Sequence, residues 1–198
     1  ATFEFRTKPI QSWLFSSGPR AVPELSALSL ANFAWSFAVL ACVDPPCWDL
    51  VTSTALGRLR EFSTQGLSNV AWALAKSALV HLPLLEAISS ATISRAAELS
   101  TLSIAGSFWA YAVLRCVDSP LFGSLSSVAE ARVTEFAEQS LANLAWATAA
   151  LELGHRPLVG AISTAAKVIL DNTQAMDLAA FREASGTERP ISIHGLVR

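Results

Sequence analysis

Indole rings and side-chain amides recur along this chain at one fixed spacing. Four of its six tryptophans lie 37 residues apart, at Trp35, Trp72, Trp109 and Trp146. An asparagine lies three residues before three of these rings, a glutamine seven residues before two, and a lysine four residues after one. These polar residues are Asn32, Gln65, Asn69, Lys76, Gln139 and Asn143. Offsets of three, four and seven keep residues on one helix face, so the pattern predicts a groove of amides beside indoles.

Such a groove predicts binding of RNA or of a protein partner. Amides pair with base edges, and an aromatic ring that stacks on a base contributes about 1–3 kcal/mol. Two structural alternatives stay open. The asparagines could form a buried ladder that ties adjacent loops together, and the tryptophans could be core residues that each bury about 150–250 Å².

A row of arginines has the same period, and each member precedes a glutamate by three residues. The pairs are Arg58 with Glu61, Arg95 with Glu98, and Arg132 with Glu135. A line of arginines could contact RNA phosphates. The glutamate beside each arginine weakens that attraction, so the pattern favours exposed ion pairs worth about 0.2–0.5 kcal/mol each.

The remaining reactive residue types do not form a catalytic pattern. His81 and His155 lie 74 residues apart at expected turns, and Asp44 and Asp118 occupy the equivalent positions, which indicates helix capping. The sequence has no glycine-rich phosphate loop and no His-Glu-x-x-His motif. Its three cysteines lack a Cys-x-x-Cys pair, which excludes a zinc finger and a disulfide scaffold. We therefore expect no enzyme activity, no metal, no cofactor and no small-molecule substrate.

The elements that position these residues follow from the 37-residue period. Prolines share it, at Pro9, Pro46, Pro83, Pro120 and Pro157. In one unit, Ser63 or Thr64 caps a first helix, and Pro83 opens a second, since the first turn of a helix tolerates proline. The sequence therefore predicts an all-α fold, an α-solenoid (a right-handed superhelix) of stacked 37-residue helix-turn-helix repeats.

The period also sets the predicted boundaries. A partial leading repeat precedes four full repeats, and a decayed capping helix and an extended tail follow them. These segments are 1–24, then 25–61, 62–98, 99–135 and 136–172, then 173–183 and 184–198.

The composition is unusually apolar, with 52% hydrophobic and 15% charged residues and a net charge of −2. The longest uncharged run, Leu25 to Val43, approaches the roughly 20 residues that span a bilayer. It contains serines and an asparagine, however, and it is simply the first helix of one repeat. We therefore expect no membrane-spanning segment, and we attribute the apolar excess to helices buried on several sides. On the first helices we expect an apolar stripe opposite each tryptophan, which holds Leu30, Leu67 and Leu74.

Three segments resemble a known repeat family: "LANFAWSFAVL" from Leu30, "LSNVAWALAKSAL" from Leu67 and "LANLAWATAALEL" from Leu141. They are similar to the octotricopeptide repeats and the related heptatricopeptide repeats of algae, apicomplexans and dinoflagellates. The resemblance implies an RNA-binding α-solenoid in a mitochondrion or plastid. The chain departs from the pattern at Gly106, where asparagine is expected, and in its acidic balance of 14 basic to 16 acidic residues.

Two functions follow as expectations. The first is RNA binding, to single-stranded or ribosomal RNA, in organellar RNA metabolism or ribosome assembly and within a larger assembly. The alternative is a protein-interaction scaffold, a structural subunit of a large organellar complex such as a ribosome or a photosynthetic or respiratory complex. In that case the same groove would hold protein and would not recognise RNA on its own.

Overall fold

The computed structural model describes residues 18–41, 44–152 and 155–185, and side chains only as far as Asp171. All regular secondary structure within these residues is helical, which confirms the predicted all-α class. A short turn, α1 (Gly18–Ala21), precedes four pairs. The pairs are α2 (Ala27–Val39) and α3 (Pro45–Gly57), α4 (Thr64–Lys76) and α5 (Leu82–Ser94), α6 (Thr101–Val113) and α7 (Ser119–Ala131), α8 (Glu138–Ala150) and α9 (Arg156–Ser185).

The helices pack mainly on their counterparts in neighbouring repeats. Each first helix (α2, α4, α6, α8) lies against the next first helix, and each second helix (α3, α5, α7, α9) contacts the next second helix. The stripe predicted opposite the tryptophans supplies the core: Leu30, Leu67 and Leu74 are fully buried. Short 3-10 turns end in the periodic glutamates and join the repeats, at Val22–Glu24, Leu59–Glu61, Ala96–Glu98 and Val133–Glu135.

Side chains cap both kinds of helix. The hydroxyls of Ser26, Ser63 and Ser100 accept a backbone N–H in the first turn of α2, α4 and α6, and each satisfies a donor that has no partner within the helix. Ala137 occupies this position before α8 and makes no such bond.

The second helices use a different set of caps. A carboxylate oxygen of Asp44 and of Asp118, and Nδ1 of His81 and of His155, accept a backbone N–H three residues later. The capping role predicted for these histidines is therefore confirmed.

The turn inside each repeat rests on a left-handed residue that is never glycine. Ala41, Ala78, Arg115 and Glu152 have φ between 51° and 53°. In the second repeat the N–H of Leu79 donates to the carbonyl of Leu74 at 2.9 Å, the six-to-one bond of a Schellman motif. Sequence analysis missed this feature, because glycine is its usual signal.

The last helix differs from the prediction. α9 continues through residues 173–183, where a separate capping helix was expected. In the sequence, Ile169 and Asn172 stand where the periodic arginine and glutamate would fall, and no proline or glycine interrupts the helix after Gly160. The leading segment before Gly18 and the predicted tail after Ser185 lie outside the described residues. Among the helices described, none is long and apolar enough to cross a membrane.

Candidate functional site

Three of the periodic tryptophans form a row along the first helices. The rings of Trp35 and Trp72 stack with centroids 6.1 Å apart, and those of Trp72 and Trp109 with centroids 5.9 Å apart. The indole of Trp72 therefore has a ring against each side. Trp146 stands outside the row, and 49% of its surface is exposed. Trp35 and Trp146 are exposed on the first helices, whereas Trp72 and Trp109 are half-buried and pack against the core. Of these four indoles, Trp146 is the most exposed.

The amides lie beside this row. Gln65 and Asn69 line a pocket of about 190 Å³ together with Trp35 and Trp72, so four of the predicted residues meet at one place. Asn32 is exposed and Asn69 is half-buried. A buried asparagine ladder does not describe these side chains.

The other predicted polar residues lie on the same face of the first helices. On α8, the amide nitrogen Nε2 of Gln139 donates to Oδ1 of Asn143 at 3.2 Å. Lys76 is exposed at the end of α4, four residues after Trp72. The face therefore carries amides on α2, α4 and α8, and one cation.

The departure from asparagine at Gly106 has a steric reason. A Cβ at this position would lie 2.9 Å from Oγ of Ser68 on the neighbouring first helix. That hydroxyl is held in place, because it donates to the carbonyl of Ser103 at 3.1 Å. The residues one repeat away from Ser68 are Ala31 and Ala105, which lack a hydroxyl. The serine and the glycine thus form a matched pair.

The three periodic arginines join successive junctions. Nη1 of Arg58, Arg95 and Arg132 donates to the carbonyl of Leu25, Phe62 and Leu99 respectively, at 2.5, 2.8 and 2.6 Å. Each guanidinium also pairs with the glutamate three residues later, as the sequence predicted. Hydrogen bonds from Arg58 and Arg132 lower the pKa of Glu61 and Glu135. Phosphate contact by these arginines stays a prediction, and their guanidiniums already have protein partners.

A second opening lies where repeats three and four meet. Trp146 lines a groove of about 720 Å³ together with Arg115, Val117 and Glu152. The sequence analysis did not select Arg115 or Glu152. Both residues could have been found from the 37-residue period, since they are the equivalents of Ala41 and Ala78. The residue type changes from repeat to repeat at this position, however, so no pattern marks it.

Large apolar side chains share the face with the amides. Leu28 and Leu102 are 68% and 65% exposed, and they occupy the positions that hold Gln65 and Gln139 in the other two repeats. The face therefore alternates, with leucine in repeats one and three and glutamine in repeats two and four.

Among the residues whose side chains the structure describes, no group of three or more His, Cys, Asp or Glu could hold a metal ion. Burial, followed by the nearby Asp118, raises the pKa of the Cys116 thiol, which disfavours the nucleophilic thiolate. Burial also raises the pKa of Tyr111, whose hydroxyl donates to the carbonyl of Leu85 at 2.6 Å.

No model of a known protein family matches this chain, and no curated protein matches it. The resemblance to octotricopeptide and heptatricopeptide repeats rests on the three segments quoted above, and what it implies belongs with the proposals below.

Proposed function

We propose that the chain is an RNA-binding helical-repeat protein that acts in organellar RNA metabolism or ribosome assembly, as part of a larger assembly. The observation that carries the proposal is the meeting of Gln65, Asn69, Trp35 and Trp72 in one surface pocket. Side-chain amides can donate and accept hydrogen bonds at the edge of an unpaired base, and an adjacent aromatic ring can stack on its face.

The proposed architecture is an α-solenoid that winds as a right-handed superhelix. It is supported by the packing of each first helix on the next, and by caps and turns that recur every 37 residues. Nearly the same helix pair, joined by nearly the same junction each time, generates a quasi-one-dimensional stack.

The proposed mode of recognition assigns a role to each side chain. Gln65, Asn69 and Asn143 pair with base edges, the open indole of Trp146 stacks on a base, and Arg115 in the adjacent groove approaches a phosphate. With about one base for each repeat, four repeats cover about four nucleotides. The affinity should be modest, because phosphate neutralisation supplies much of RNA affinity and the net charge is −2.

The first test is the binding of fluorescent single-stranded RNA to the purified chain, followed by a salt titration. We expect binding at about 50 mM salt that weakens with salt along a shallow slope, because few cations face the groove. An absence of binding at this salt concentration would reject autonomous RNA recognition.

The second test separates recognition from stability. The double variant Asn69→Ala with Asn143→Ala should weaken RNA binding at least several-fold and change the melting temperature only slightly, since both amides are only half-buried. Ser127→Ala is the matched control, because Ser127 is exposed on a second helix. A drop in melting temperature with unchanged binding would mean that the amides serve structure instead.

The exposed leucines favour a second candidate, a protein-interaction scaffold. Leu28 and Leu102 expose large apolar side chains to water, and a partner helix that packed on them would bury that surface. The double variant Leu28→Lys with Leu102→Lys discriminates the two candidates. If RNA occupies the face, two added cations should tighten RNA binding and steepen its salt dependence by about two charges. If neither the parent chain nor this variant binds RNA, the result favours the protein-interaction scaffold.

A further inference from the structure

The outer side of α8 exposes a surface that the three preceding first helices bury. Ala34 and Ala71 are fully buried in the first two repeats, and Phe108 is fully buried in the third. At the equivalent position in the fourth repeat, Ala145 is exposed. The same change occurs one turn earlier and one turn later, at Ala142 and Ala149.

Contacts inside the chain identify what normally covers this surface. Ser68, one repeat before Ala105 and two before Ala142, bonds to Ser103 of the following first helix and lies against Gly106. The positions of Ser68 and Ala71, with their equivalents in the other repeats, are therefore the half of each interface that receives the next first helix. On α8 that half is open within the part of the chain that the structure describes.

The open surface has the shape and chemistry of a helix-binding groove. A groove of about 450 Å³ runs between α8 and α9 and is lined by Leu141, Ala145, Ile162 and Leu170 among others, and Glu138 is the one charged residue among its described lining side chains. An occupant must therefore be a helix with an uncharged face of small residues, which allows close approach.

The first helix of the array carries the complementary half. Ser29 and Ser36 on α2 are exposed, whereas their counterparts on the later first helices are buried against the preceding one. The counterparts of Ser29 are Gly66, Ser103 and Ser140, and those of Ser36 are Ala73, Ala110 and Ala147. Within the residues that the structure describes, α2 and α8 thus present the two halves of the interface that α2 and α4 already make.

We infer that the chain associates head to tail with a second copy of itself, α2 of one copy docking on α8 of the other. The contact continues the layer of first helices and brings Trp35 of the second copy beside Trp146, as Trp72 lies beside Trp35. Because the two surfaces differ, the contact does not close into a symmetric dimer, and copies add in a row as concentration rises. The inference does not depend on RNA binding.

Sedimentation velocity of the full chain, followed up to about 100 μM where weak interfaces populate, tests the contact. We expect the sedimentation coefficient to rise with concentration. Ala145→Arg should raise the dissociation constant at least about tenfold, as the loss of a central anchor does. The matched control is Ala150→Lys, which also adds a cation to α8. Lys76 occupies the equivalent position on α4, so this variant should associate as the parent does.

Mixing two blocked variants gives the decisive result. Ala145→Arg blocks the α8 end and Ser36→Glu blocks the α2 end, so each alone should stay monomeric at the same melting temperature as the parent. Together they retain one intact pair of surfaces and should form a one-to-one dimer that grows no further. A parent that remains monomeric throughout, or blocked variants that associate alone or fail to pair when mixed, would overturn the proposal.

Discussion

Repeats two and four, residues 62–98 and 136–172, have closely similar first helices in different surroundings. Ala71 is buried under the next first helix, whereas Ala145 at the same register is exposed. Trp72 lies between two indoles, whereas Trp146 lies outside the row. The comparison teaches that burial in this molecule is a property of the neighbouring repeat rather than of the residue, so one sequence motif serves as core or as open surface.

The largest expected difference comes from placing a charge at the same register in both repeats. Ala71→Arg should destabilise the fold by about 3–5 kcal/mol, because the guanidinium would be buried without a partner. Ala145→Arg should change the free energy of unfolding by less than about 0.5 kcal/mol, as exposed substitutions do. Urea denaturation followed by circular dichroism measures both, and equal effects would contradict the assignment of buried and open faces.

Removing one junction arginine should have the next largest effect. Arg132→Ala deprives the carbonyl of Leu99 and the carboxylate of Glu135 of a charged donor, so it should lower the free energy of unfolding in urea denaturation. Arg60→Ala, an exposed arginine in the junction between the first two repeats, is the control and should cost little.

The same pair contributes to the acid sensitivity of the fold. Since Arg132 lowers the pKa of Glu135, the pair stabilises the fold above the ordinary glutamate pKa, and that contribution is lost as the pH falls through the lowered value. Arg132→Ala should flatten this part of the stability profile. If its melting temperature falls by the same amount at every pH, the pair does not contribute as described.

The Ser68–Gly106 pair predicts a coupled effect inside the array. Gly106→Asn restores the repeat consensus but should cost about 1–3 kcal/mol, because its Cβ would displace the Ser68 hydroxyl. Adding Ser68→Ala should recover much of this loss, because alanine and asparagine, Ala31 and Asn69, occupy the same two register positions one repeat earlier. A double-mutant cycle that shows purely additive free energies would refute the pairing.

The smallest predicted difference concerns the caps. Ala137→Ser should stabilise the fourth repeat by about 0.5–2 kcal/mol, and Ser63→Ala should destabilise the second by a similar amount, because each change gains or loses one acceptor for a first-turn N–H. Thermal melts of the two variants should shift in opposite directions. Shifts of the same sign would show that the serines do not act as caps.

The sequence predicted those parts of the fold that depend on local chemistry. Caps at Ser63 and His81, the proline in the first turn of α5, and the buried stripe of the first helices all follow from a residue and its near neighbours. Convergence of Gln65 and Asn69 beside two indoles also follows from register, because one period separates like positions on adjacent helices.

The rest depends on contacts between repeats or on unusual residue choices. The glycine at 106 makes sense only once Ser68 is known to face it, and the carbonyl partners of the arginines lie 33 residues away. The left-handed turn residues escape notice because they are alanine, arginine and glutamate. The continuous α9 was not predicted, because the expected boundary rested on extending the 37-residue period past residue 172.

The row of Trp35, Trp72 and Trp109 gives this molecule a built-in optical reporter. Indoles held at centroid distances of 5.9 and 6.1 Å, with interplanar angles of 27° and 29°, couple their electronic transitions and produce a paired circular dichroism band in the far ultraviolet. That band depends on how the repeats stack, not on how much helix they contain. Its disappearance at unchanged helicity would therefore register the parting of neighbouring repeats before any helix unwinds.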